Sequence, residues 1–225
     1  MNDGIVIIPT YNEIENIESI IRTVFSLQKP FHILIVDDNS PDQTAKKVKA
    51  LQEEFPDRLF MESREKKSGL GTAYVHGFKW ALERHYDYIF EMDADFSHNP
   101  NDLEKLYDAC RFGIYDMSIG SRYVTGVNVV NWPLSRVLLS YFASVYVRMI
   151  TGMEIQDTTA GFVCYKRKVL QDINLDKIKF IGYAFQIEMK YRTYAKKFKI
   201  VEVPIIFTDR TKGQSKMSNS IIKEA

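Results

Sequence analysis

Three short apolar runs, each stopped by a polar turn and followed by a helical pattern, constrain this chain more than any other feature. Ile5-Val6-Ile7-Ile8 stops at Pro9, Ile33-Leu34-Ile35-Val36 stops at Asp37-Asp38, and Tyr88 to Met92 stops at Asp93. The first two runs are apolar at every position and Glu91 alone interrupts the third, a pattern that predicts strands covered on both faces. Between the runs the period changes: Ile14, Ile17, Ile20, Ile21 and Val24 recur at three- and four-residue spacing, and a second helix is expected through Ala45, Val48 and Leu51. A strand at Leu59 to Met61 and a helix from Thr72 to Leu82 continue the alternation. Strand and helix in turn predict an α/β fold with a mainly parallel central sheet flanked by helices.

Beyond about residue 122 the pattern loosens. A short strand at Met117 to Ile119 precedes Gly120-Ser121-Arg122, and Asn128 to Pro133 reads as a loop opening an apolar helix. Phe162 to Tyr165, Phe185 to Tyr194 and Ile200 to Val203 read as strand, helix, strand. The 225 residues, 45% of them hydrophobic, suffice for one large core, and a single domain is expected.

Charge excludes one class of partner. Thirty basic against 29 acidic residues leave no overall field for nucleic acid, so any anion site must be local. Cys110 and Cys164 have no paired or metal-like spacing, which suits a reducing compartment. The polar start Met1 to Gly4 runs straight into a strand, leaving no room for a secretory signal, and a cytoplasmic placement is expected. No stretch of about eighteen apolar residues occurs. The nearest, Val137 to Val147 between Arg136 and Arg148, reads either as a buried core helix or as a segment touching a membrane surface.

Two glycine motifs fail the nucleotide-binding patterns. Gly69-Leu70-Gly71 starts like a dinucleotide fingerprint, but Tyr74 holds the place of its third glycine, and no Walker-type Gly-Lys-Ser/Thr occurs. The glycines fit a tight turn entering a helix as well as they fit backbone contact with phosphate.

The strand ends carry more. Pro9-Thr10-Tyr11-Asn12-Glu13, Asp37-Asp38 and Asp93-Ala94-Asp95 each follow a predicted strand, and in a parallel sheet such ends meet along one edge. Taken singly, Asp37 and Asp38 fit loop hydrogen bonding, Glu13 fits a first-turn helix acid, and an Asp-x-Asp pair is common in solvated turns. Together they bring a tyrosine and five carboxylates to one cleft. A nucleotide sugar with a divalent cation suits such a site, the metal bridging carboxylate to diphosphate.

Those stretches, with Arg64 to Ala73, Met92 to Asp95, Gly120-Ser121-Arg122 and Phe207-Thr208-Asp209-Arg210, resemble the polyprenol phosphate mannose synthases, and dolichol phosphate mannose synthases most of all. These are inverting family 2 glycosyltransferases with the GT-A fold. The resemblance runs over nearly the whole chain in order, and implies a nucleotide-binding half over about 1–122 and an acceptor half over about 123–225. It implies that Pro9, Tyr11, Glu13, Val36 and Asp38 contact the donor nucleoside, and that Asp93, Ala94 and Asp95 surround a Mg or Mn ion and the diphosphate. Arg122, Arg210 and Lys216 become cationic partners of phosphate, with Arg136 assisting, and with Asp95 they carry the chemistry. Ser97 stands where some relatives have a metal-binding glutamine, and is taken as a third metal position unless water holds that contact. Asp157 to Val163 lacks the arginine that often follows a Ser-Gly-Phe stretch in relatives.

The implied reaction moves mannose from GDP-mannose to a polyprenyl (dolichyl) phosphate at the cytoplasmic face of a membrane, held there peripherally. The segment Arg210 to Lys216, with Gly213 and Ser215, is expected to close over the donor, and Ser218 to Ile222 to form a short helical stub near the lipid. Alternatives are transfer of glucose or another sugar from a UDP donor, and noncatalytic binding of nucleotide or membrane.

Overall fold

The computed structural model describes residues 3–182 and 184–210. The first apolar run becomes β1 (Gly4–Thr10), with Ile5 to Ile8 wholly buried. After it come α1 (Ile17–Phe25), β2 (His32–Asp37), α2 (Thr44–Glu54), β3 (Leu59–Ser63), α3 (Leu70–Glu83) and β4 (Tyr88–Glu91), which is the alternation expected from the periodicity. The second part holds α4 (Asp102–Arg111), β5 (Met117–Ser121), β6 (Val129–Val130), α5 (Leu134–Thr151), β7 (Val163–Lys166), α6 (Arg167–Asp172), α7 (Ala184–Ala195), β8 (Ile200–Pro204) and β9 (Phe207–Thr208).

Side chains alternate across a strand, so β1 feeds two cores. Ile5 and Ile7 pack with α3, α6 and α7, whereas Val6 and Ile8 pack with α1, α2 and α4. Each fully buried side chain of this size contributes about 1.5–3 kcal/mol. The glycines at the start of α3 serve this packing. Gly69 holds a φ of +100°, and a Cβ on Gly71 would lie 2.7 Å from the Phe185 ring. Gly71 N–H also donates to Ile181 O at 2.8 Å, tying the 178–182 segment to the helix start.

The main sheet runs β3-β2-β1-β4-β7-β5-β8. Only β7 opposes its neighbours: it is antiparallel to β4 and β5, while the other pairings are parallel. Residue pattern predicts a strand but not its direction, and an antiparallel neighbour needs no helical crossover. A second difference is local. Asn128 to Pro133, expected as a loop, contains β6, which pairs in parallel with β9. A two-residue strand has no period to read.

Strand order reverses between β1 and β4, because the connections from β1 through β2 to β3 extend the sheet one way and β4 then returns to the other side of β1. Such a reversal leaves a crevice at the carboxyl ends of the strands, the usual ligand position in open α/β sheets. Helix α5 runs eighteen residues, longer than expected, and Ser144 is its buried residue. A buried core helix is therefore not what this apolar stretch forms. Leu134, Phe142 and Met149 are 72%, 60% and 80% exposed. Among the described residues no helix is long and apolar enough to cross a membrane.

Candidate functional site

The loop leaving β1 is shaped from the neighbouring strand end. Asn12, at φ 57°, donates its N–H to Ser40 Oγ at 3.0 Å, Glu13 N–H reaches Thr44 Oγ1 at 3.0 Å and Ile14 N–H reaches Asp42 Oδ2 at 3.0 Å. These bonds fix Tyr11 and Glu13 over the crevice. The two aspartates that close β2 have opposite tasks. Asp37 accepts from Thr10 Oγ1 at 2.8 Å and from Ser40 N–H and Oγ at 2.9 and 2.6 Å, so it builds the loop and does not line the cleft. Four of the five carboxylates expected in the cleft therefore line it, and Asp209 joins them. Asp38 does line the cleft, clamped by Arg64 through two charge-assisted bonds of 2.6 and 2.7 Å. Arg64 also donates to Thr72 Oγ1 at 2.8 Å, which joins the β2 loop to α3.

The turn after β4 is equally determined. Asp95 Oδ1 accepts from Ser97 Oγ at 2.6 Å and Ser97 N–H at 3.0 Å, while Phe96 takes a left-handed φ of 61°. Arg210 Nη2 sits 2.5 Å from Asp95 Oδ2, with Nη1 3.9 Å from Glu13 Oε1. Burial pushes the Asp95 carboxyl upward, but the Ser97 hydroxyl and the Arg210 charge outweigh it and hold the group below the usual range. Enclosure by the cleft walls, and then the like charge of Asp95, raise Asp93 to about 7, although 39% of its side chain meets solvent. Behind them Glu91 is wholly buried; it accepts from Tyr165 OH at 3.0 Å and from Gln186 Nε2, and burial raises it to about 7.

These donors fit a divalent cation. They are hard carboxylate oxygens, one repelled by its neighbours and the other already holding a guanidinium. Magnesium-like ions take one or two carboxylates and complete their shell with water and phosphate. No metal-holding group of three or more His, Cys, Asp or Glu side chains occurs among the described residues, so such an ion would rely on substrate oxygens. Ser97, expected as a third ligand, directs its hydroxyl at Asp95.

A cleft of about 360 Å³ gathers most of the expected residues: Pro9, Tyr11, Glu13, Asp38, Asp93, Ala94, Asp95, Ser97, Arg136 and Arg210 all line it. Arg136 is not a loose helix end; it stacks 4.0 Å over Trp132 and pairs with Asp209 at 3.1 Å. Of the three that remain, two do not line it. Val36 is wholly buried in the core, and Lys216 lies outside the described residues. Arg122 is 7% exposed and forks onto the wholly buried Asp157 at 2.7 and 2.6 Å, with Thr159 Oγ1 at 2.8 Å. Burial raises Asp157, but Arg122 overrides this and keeps its carboxyl low. The cleft adds Lys67, whose Nζ lies 4.8 Å over the Tyr11 ring, and Leu70, Ile181, Gly182 and Asp209. Lys67 and Leu70 fall within the Arg64 to Ala73 stretch, but Ile181 and Gly182 carry no sequence signal.

The family described as Glycosyl transferase family 2 matches residues 5–173. The chain is 48% identical over 221 residues to a polyprenol monophosphomannose synthase of Mycolicibacterium smegmatis, covering 98% of this chain and 83% of that protein. It is 44% identical over 219 residues to an undecaprenyl-phosphate mannosyltransferase of Micrococcus luteus, covering 97% and 89%. A mannosyltransferase from Pyrobaculum calidifontis, solved in complex with GDP-Man and Mn2+, superposes with a TM-score of 0.63 over 95% of this chain and 58% of that one. At 16% identity that likeness establishes the fold alone.

Proposed function

Because this chain belongs to glycosyl transferase family 2, a family of glycosyltransferases with the GT-A fold, we propose that it transfers mannose from GDP-mannose to a polyprenyl phosphate with inversion at the sugar carbon. The observation that carries the proposal is the carboxylate pair Asp93 and Asp95 at the strand-order reversal, faced by Arg210 and enclosed in one cleft with Tyr11, Glu13 and Asp38. The names of the two bacterial relatives support the acceptor, and the GDP-Man and Mn2+ of the archaeal neighbour support the donor and a divalent cation. In this reading Pro9, Tyr11, Glu13 and Asp38 hold the nucleoside, and Asp93 and Asp95, on either side of Ala94, hold a Mg or Mn ion against the diphosphate. When bound, that ion offsets the charge that develops on departing GDP.

The acceptor supplies its own nucleophile. A phosphate monoester has a second pKa near about 6, so at neutral pH it is largely a dianion and needs no general base. The protein's task is to align that oxygen with the sugar carbon and to balance charge. Arg210 and Arg136 line the cleft for this purpose, Lys216 is assigned to the same phosphates, and Arg122 steadies the 157–159 segment through Asp157. Residues 1–122 serve as the nucleotide half and 123–225 as the acceptor half. The lipid is met at α5, whose exposed Leu138, Phe142 and Met149 lie flat on the cytoplasmic face of a membrane. The test is a donor panel: purified protein, Mg2+ or Mn2+, polyprenyl phosphate, and GDP-mannose against UDP-glucose. Metal-dependent mannosyl lipid is expected. Glucosyl lipid alone would reassign the donor, and tight donor binding without turnover would remove the catalytic reading.

A further inference from the structure

His98 is the buried group at the metal turn to which neither resemblance nor chemistry assigns a task. His98 is 3% exposed, and its ring stacks on Phe162 with centroids 4.9 Å apart and planes within 11°. It also meets Phe207 edge to face at 5.4 Å. Nδ1 accepts the main-chain N–H of Asp93 at 3.3 Å, closing a loop from Asp93 to His98. An accepting Nδ1 puts the ring proton on Nε2. The neighbouring Ser97 O accepts Thr208 N–H at 3.2 Å, so the 207–210 arm docks on this turn through both main chain and ring, and Arg210 is delivered to Asp95.

We propose that His98 is a positioning residue for the Asp93–Asp95 site. Through Nδ1 it sets the main chain at Asp93, and through its two ring contacts it fixes the turn against Phe162, just ahead of β7, and registers the arm that carries Arg210. The inference rests on the reading of Asp93 and Asp95 as metal ligands. Two substitutions separate the two functions. His98→Phe keeps a ring of similar size between Phe162 and Phe207 but removes the acceptor. His98→Asn places Oδ1 where Nδ1 stood, keeping the acceptor and removing the ring.

Mn2+ alone, titrated into the full chain and followed by water-proton relaxation, reads the turn directly without turnover. His98→Phe is expected to weaken Mn2+ affinity about ten-fold with an unchanged far-UV circular dichroism spectrum, because supporting contacts of this kind typically carry 10- to 100-fold in metal affinity. His98→Asn is expected to retain most of the affinity, while its kcat for transfer falls because the arm is no longer held by the ring. Wild-type Mn2+ affinity in His98→Phe would overturn the inference, as would equal losses in both variants. Should His98→Phe fail to fold, His98→Asn and His98→Ala make the same comparison: tighter Mn2+ binding by Asn is expected, and equal binding overturns the role of Nδ1. Asp95→Asn separates this inference from its premise. If that variant binds Mn2+ as tightly as wild type, the metal site itself is wrong; if it loses Mn2+ and His98→Phe does not, only the role of His98 falls.

Discussion

The turn from Asp93 to His98 and the helix α5 serve two ends of one proposed transfer, and they are built by opposite means. The turn is fixed from within: Ser97 holds Asp95, His98 holds the Asp93 main chain, and Arg210 closes on the carboxylate. Helix α5 keeps Ser144 as its buried residue and leaves Leu138, Leu139, Phe142, Tyr146 and Met149 exposed. A small, highly charged donor needs groups already in place, since ordering them at the moment of reaction would add to the barrier. A long apolar acceptor needs an apolar surface rather than a set of fixed contacts. The fold therefore places its rigidity at the strand ends and its exposed hydrophobic area at the helix beside them.

The first test falls on the buried ion pair that follows β5, Arg122 with Asp157. Arg122→Ala removes the guanidinium that neutralises the buried Asp157 carboxylate, which costs about 3–5 kcal/mol. In a chain of this size that lowers the melting temperature by roughly 10 °C. A wild-type melting curve would free Arg122 from its structural task and return it to the list of phosphate contacts. On the opposite side, the triple change Leu138→Glu, Phe142→Glu and Met149→Glu should leave GDP-mannose affinity intact while lowering transfer to polyprenyl phosphate in vesicles by about a hundred-fold, as three apolar anchors are lost. Equal activity on vesicles would mean that the acceptor arrives by another face.

Two smaller effects sharpen the account of the turn. Asp93 is raised to about 7, so below that pH the metal-free protein holds a proton that Mn2+ must displace. Affinity for Mn2+ should rise by about ten-fold per pH unit up to neutrality and then level off. A flat profile between pH 5.5 and 8 would mean that Asp93 is already ionised across that range and that no proton is displaced. Arg210 occupies Asp95 in the ligand-free protein, so Arg210→Gln should strengthen Mn2+ binding by roughly three- to five-fold, the scale of a partly exposed ion pair, even as transfer falls. Weaker Mn2+ binding in that variant would mean that Arg210 supports the ion rather than competing with it.

What the sequence made legible follows from where local pattern and tertiary structure agree. Apolar runs mark β1, β2 and β4, and because parallel strands end on the same side, the sequence alone places Glu13, Asp38, Asp93 and Asp95 at one edge. Local pattern could not distinguish Asp37 from Asp38. They are adjacent and chemically identical, and only the positions of Thr10, Ser40 and Arg64 decide which one turns inward. The partner of Arg122 was hidden for the same reason: a guanidinium suits phosphate and buried carboxylate equally, and Asp157 lies far from it in sequence. The direction of β7 and the pairing of β6 with β9 depend on long connections that carry no periodic signal.

The central claim is that Asp93 and Asp95 bind the donor diphosphate through a divalent cation. It is tested most directly by calorimetric titration of GDP-mannose into wild-type and Asp95→Ala protein, each with and without Mn2+. The account predicts that Mn2+ strengthens donor binding in the wild type and has no effect on the variant. Donor affinity that responds to Mn2+ in Asp95→Ala as it does in the wild type would contradict it.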